Sequence, residues 1–107
     1  MQLQFTRTAL RCLQDIESWQ AAFKGPEAAA VWVDDYLQQS VQAILAAPDR
    51  YRFNALLADY GLMLRERLDQ DHRLLYRQQG DQIFVLLVLH CKQDLVRALY
   101  RHQLMRG

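Results

Sequence analysis

The side chains best suited to chemistry are arginines. Arg65, Arg67, Arg73 and Arg77 fall in one short stretch, and His90 closes the apolar run that follows. A guanidinium is a planar fork of donors, so arginines sharing a face can bind phosphate or carboxylate and can stabilise charge building on a scissile phosphate. A histidine such as His90, or a tyrosine, could then move a proton. The plainer alternatives are a solvated strand face, or arginines that meet the acidic residues of a protein partner.

Other chemistries have little support. There is no phosphate-cradling glycine loop, no HExxH and no nucleophile elbow. Cys91 adjoins His90, but neighbours in a strand point to opposite faces and cannot form a nucleophile–base pair. Cys12 and Cys91 are isolated, which indicates neither a disulfide framework nor a zinc knuckle. We expect no metal and no cofactor.

Positioning these residues falls to Leu62–His90, which reads as three antiparallel strands with turns at Asp69-Gln70-Asp71 and Gly80-Asp81. A two-residue turn at Gly80-Asp81 sets Tyr76 opposite Val85, Leu74 opposite Leu87 and His72 opposite Leu89. One face then carries Leu74, Tyr76, Ile83, Val85, Leu87 and Leu89 and is core. The other is mixed, with Arg73, Leu75, Arg77, Phe84, Leu86, Val88 and His90. A three-residue loop at 69–71 pairs Arg67 with Arg73 and Arg65 with Leu75, gathering four arginines on the mixed face. Leu75, Phe84, Leu86 and Val88 set among Arg65, Arg73 and Arg77 make an apolar patch rimmed by charge, the usual mark of an interaction site.

The remaining elements are helical. Gln2–Thr6 alternates as a short strand for an edge of the meander, and Thr6 or Thr8 caps a helix whose stripe is Ala9, Cys12, Leu13, Ile16, Trp19 and Phe23. Lys24-Gly25-Pro26 breaks it, and a second helix runs from Pro26 to Ala47. The pair forms an αα-hairpin over one face of the sheet, leaving the other open. Tyr51–Gly61 fits either a helical turn or an irregular crossover. Lys92–Met105 is a helical tail with Leu95 and Leu99 at helical spacing, Val96, Tyr100 and Leu104 as further candidates for the same stripe, and Arg97, Arg101, His102 and Arg106 toward its end. The fold class is α+β in a single domain of 107 residues.

A net charge of +1, with two lysines beside eleven arginines, argues against a large non-specific grip on nucleic acid. The longest apolar run, Ile83–Leu89, is far short of the ~18 residues of a membrane span, and no leader is evident. We expect a cytoplasmic protein.

The order strand, two helices, three-stranded meander and helical tail resembles the RelE/ParE superfamily of bacterial type II toxin–antitoxin toxins. The resemblance spans nearly the whole chain. Its most specific part is Arg67-Leu-Asp-Gln-Asp-His-Arg-Leu-Leu-Tyr76, similar to the family's arginine, tight turn and HRLVY-type strand; Asn54-Ala55-Leu56-Leu57 resembles its N-K-L segment. One branch cuts mRNA on the ribosome, and the ParE-like branch inhibits DNA gyrase. Arg67 matches the nuclease branch's catalytic arginine, with Arg73, His90 and Tyr100 as further candidates. Ala55, however, stands where many nucleases carry lysine, and Val96 stands near their tyrosine. His90 with Asp94 is similar to the LH-x-x-x-D ending of ParE-like sequences. The resemblance therefore implies a ParE-like gyrase inhibitor, with a ribosome-dependent mRNA endoribonuclease or a non-toxic binding member as alternatives. It also implies a cognate antitoxin with an acidic, amphipathic segment that folds onto the arginine-rimmed patch.

Overall fold

The computed structural model describes residues 1–69 and 71–102. Strand β1 (Gln2–Phe5) leads into helices α1 (Arg7–Lys24) and α2 (Pro26–Ala46), then a 3-10 turn (Pro48–Arg50) and a short helix α3 (Ala55–Asp59). Strands β2 (Arg65–Asp69), β3 (His72–Gln79) and β4 (Gln82–His90) follow, and α4 (Leu95–Arg101) comes last. The sheet order is β1-β4-β3-β2, with β1 parallel to β4 and the other neighbours antiparallel.

Local chemistry sets the helix ends. Thr6 Oγ1 accepts from the Ala9 amide at 3.1 Å and starts α1. Gly25 turns the chain at φ 90° and ψ 157°, a conformation essentially reserved for glycine, and Pro26 opens α2 at once. The tight link folds α1 and α2 into the expected hairpin. Ala9, Cys12 and Leu13 of α1 and Val33, Tyr36 and Ile44 of α2 enter the core with Leu74, Tyr76, Ile83 and Val85. Trp19 and Phe23 do not: they stand 63% and 74% exposed, and it is Gln20 that is buried near the end of α1.

Strand register departs from expectation twice. The β2–β3 hairpin closes at Asp69↔His72 rather than around a three-residue loop; Gln70, in that turn, lies outside the described residues. Arg67 consequently pairs with Leu74 and Arg65 with Tyr76. The one-residue difference moves both arginines to the opposite face, the one beneath the helical hairpin. The β3–β4 hairpin follows the expected pairing from Gln79↔Gln82 to Tyr76↔Val85 and then bulges. Beyond the bulge Leu75 pairs with Leu87, Leu74 with Val88 and His72 with His90. Val88 and His90 therefore face the helices, and Leu87 and Leu89 exchange places with them.

Neither face of the sheet is open. Leu75 and Leu87, on the side away from the hairpin, are fully buried. Helix α3 is tied to that side by Asn54 Nδ2, 3.1 Å from the Glu66 carboxylate, and Leu57, Leu64, Leu95, Ala98 and Leu99 join the same core. Tyr51–Gly61 thus resolves as an extended bridge, Phe53↔Arg65, and then one short helix capped by Asn54. Helix α4 starts later than expected, where the Asp94 carboxylate accepts from the Arg97 amide at 3.0 Å. Leu104 and Arg106 of the expected tail lie outside the described residues. Among those described, no helix is long and apolar enough to cross a membrane.

Candidate functional site

The four arginines do not converge. Arg65 Nη1 donates to the Tyr51 carbonyl at 2.6 Å, Nη2 lies 3.8 Å from the Asp49 carboxylate, and the guanidinium sits 4.2 Å over the Phe53 ring. Arg67 Nη1 donates to Ser40 Oγ at 3.0 Å and lies 3.8 Å from the Asp69 carboxylate, with its side chain only 12% exposed. Arg73 is on the opposite face, 3.2 Å from Glu66. Arg77 is exposed, with its guanidinium 6.0 Å from the Phe84 ring. Each is engaged by a neighbour on its own face.

The apolar patch expected among them does not form either. Leu75 and Val88 are buried, and the bulge turns Val88 toward the helices. Only Phe84 and Leu86 remain half-buried on the surface. Tyr100 is exposed on α4, while His90 lies at the end of β4 on the helix side, so the nuclease candidates Arg67, Arg73, His90 and Tyr100 are divided between faces.

What the fold does assemble is an aromatic column ending in two imidazoles. Tyr36 stacks on Trp32 at 5.0 Å, Trp32 meets His72 at 4.6 Å, and His72 meets His90 at 5.2 Å. His72 is buried, and desolvation, reinforced by neighbouring His90, lowers its pKa from 6.5. Beside the column a cleft of about 740 Å³ opens between α1, the end of β4 and α4. A second, of about 410 Å³, continues along α1 to the β2–β3 turn. Trp19, His72 and His90 line both.

At the α4 end of the cleft Cys12 Sγ lies 3.7 Å from His102 Nε2. Burial raises the thiol pKa and lowers that of the imidazole, so both favour their neutral forms. Contact between them fastens α4 beside α1. The His90–Asp94 pattern is likewise built into the turn: the His90 amide donates to Gln93 Oε1 at 2.9 Å, the Lys92 amide donates to His90 Nδ1 at 3.1 Å, and Asp94 caps α4. Among the described residues no group of three His, Cys, Asp or Glu is placed to hold a metal.

Sequence reasoning missed this cleft. The usable signal was Trp19 and Phe23, two aromatic residues spaced four apart at the end of the helix.

Comparison with known proteins agrees with the architecture. Residues 3–95 match the family model for the ParE toxin of type II toxin–antitoxin systems, parDE. The fold is similar to a chain from a chromosomal ParDE toxin–antitoxin system of P. aeruginosa, at 22% identity and a TM-score of 0.69. That match covers 84% of this chain and 95% of the other. No curated protein matches. The chain belongs to the ParE toxin family, within the RelE/ParE superfamily. It is the toxin component of a parDE-type module, and such a module implies a cognate antitoxin.

Proposed function

We propose that this toxin inhibits growth by binding DNA gyrase rather than by cutting RNA, and that its cognate antitoxin neutralises it by occupying its surface. The observation that carries this reading is the engagement of Arg67. The side chain matched to the nuclease arginine lies under α2, with its guanidinium given to the Ser40 hydroxyl and the Asp69 carboxylate. An arginine that stabilises a scissile phosphate must instead present free donors to an open site. The near-neutral charge supports the same reading, since ribosomal RNA rewards a strongly basic surface.

The test is direct. Purified toxin is added to a DNA gyrase supercoiling reaction and, in parallel, to a ribosome-dependent mRNA cleavage reaction. Loss of supercoiling, reversed by adding the antitoxin, is the expected result. Cleavage of ribosome-bound mRNA with supercoiling intact would transfer the chain to the nuclease branch.

A further inference from the structure

The two clefts share Trp19, His72 and His90 and form one groove along α1. Where they join, Trp19 and Phe23 hold their rings 4.7 Å apart, both largely exposed, although aromatic side chains carry the largest gain on burial. The two ends differ in sign. Arg11, Lys92 and Arg101 outnumber Asp15 in the cleft beside α4, whereas Asp69 and Asp71 outnumber Lys24 in the cleft at the β2–β3 turn. Arg11, Lys92, Arg101 and Asp71 are exposed, and Asp69 is partly so, its contact with Arg67 being a loose one at 3.8 Å. An apolar centre flanked by opposite charges is complementary to itself. Turned end for end, a second copy sets each cationic end over an anionic one, whereas a copy laid in the same direction sets like charges together.

We infer that the free toxin closes this groove with a second copy of itself, in a reversible dimer whose two-fold axis passes through the aromatic pair. The inference concerns the free chain and does not depend on its target. Trp19 and Phe23 of each copy cover those of the other, which removes four exposed rings from water at once. Arg11 and Arg101 of each copy lie over Asp69 and Asp71 of the other, where a guanidinium can take a carboxylate with two parallel hydrogen bonds. Every contact is made twice, because a two-fold interface uses one patch on both subunits. The ionic contacts are exposed and screened by salt, so the pairing is weak and concentration-dependent. The groove is closed in concentrated toxin and open in the dilute monomer, and any other occupant must compete with the second copy.

The experiment is sedimentation equilibrium of the purified full-length toxin over a range of concentrations, with each variant's fold checked by thermal unfolding. The unaltered chain should show a monomer–dimer equilibrium whose dissociation constant rises about tenfold between low and high salt. Replacing both aromatic anchors, Trp19→Ser with Phe23→Ser, should weaken pairing by about 30-fold or more, the scale of interface hot spots. Leu68→Ser, exposed on the far side of β2, should leave it unchanged. The decisive arm exchanges charge between the ends. One variant carries Arg11→Glu with Arg101→Glu; the other carries Asp69→Asn with Asp71→Lys, the asparagine sparing Arg67 a like charge. Each alone should be monomeric, since like charges then meet at both ends of the interface. Mixed, the two should pair with each other, because both ends regain opposite sign, and a variant that had merely lost its fold cannot be restored by mixing. A toxin that stays monomeric at every concentration would overturn the inference. So would a dimer indifferent to the Trp19 and Phe23 changes, which places the contact elsewhere, or charge variants that fail to pair on mixing, which excludes the two-fold arrangement.

Discussion

Arg67 Nη1 donates to the Ser40 hydroxyl at 3.0 Å and so joins β2 to α2 beneath the helical hairpin. Ser40 is almost fully buried. The bond makes Arg67 a structural tie, whatever its ancestry. Arg67→Ala should lower stability by about 1.5–3 kcal/mol, the usual value of a hydrogen bond to a charged group. Urea unfolding measures this, and the folded variant should still inhibit supercoiling.

His72 should make the protein sensitive to acid. Its pKa in the fold lies below 6.5, so an unfolded chain takes up a proton that the folded chain resists. Stability is therefore complete above about pH 6.5 and declines as pH falls below it. His72→Phe keeps a ring against Trp32 and should flatten this decline. His102 is shifted in the same direction, so part of the slope should remain. Urea midpoints at about pH 7.5 and about pH 5.5 give the comparison.

Tyr76 governs the alkaline side. Its hydroxyl donates to the Pro48 carbonyl, and burial pushes its pKa up from 10 to about 12. Between those values the unfolded phenol ionises while the folded one keeps its proton, so stability falls as pH rises. Tyr36 is raised by burial as well and contributes in the same sense. Tyr76→Phe should cost about 0.5–1.5 kcal/mol at neutral pH through the lost hydrogen bond, and should soften the alkaline loss.

Gly25 isolates backbone strain from crowding. A Cβ there meets nothing within 4 Å, yet φ is 90°. Gly25→Ala should therefore destabilise by about 1–3 kcal/mol through conformation alone. Thermal unfolding reports it, and an unchanged midpoint would mean that the α1–α2 link relaxes to another turn.

Architecture was legible in the sequence because it rests on strong local signals: Gly25-Pro26 between two periodic helices, Gly80-Asp81 between two apolar runs, Thr6 before α1. Facing was not. Val85–Leu89 is apolar at every position, so nothing in the text marks where a bulge changes which side chains point inward. The Asp69-Gln70-Asp71 turn is polar throughout, and a count of two or three residues fits it equally well, although the difference decides which face Arg65 and Arg67 take. The expected gathering of four arginines on one face depended on that count and fell with it. The groove depends on α4 folding back beside α1 through Cys12 and His102, residues ninety positions apart that no local pattern connects.

The parallel pairing of β1 with β4 sets the time at which the toxin can exist. Gln2 pairs with Gln82 and Phe5 with Val85, so the earliest strand made by the ribosome has no neighbour until nearly the whole sheet has been translated. The α1–α2 hairpin can collapse soon after it emerges, but its apolar side waits for the same strands. A nascent chain halted before β4 has only the β2–β3 hairpin to set against the helices, and β1 is left without its partner. The fold is thus completed only once β4 has emerged to join the first strand to the rest of the sheet.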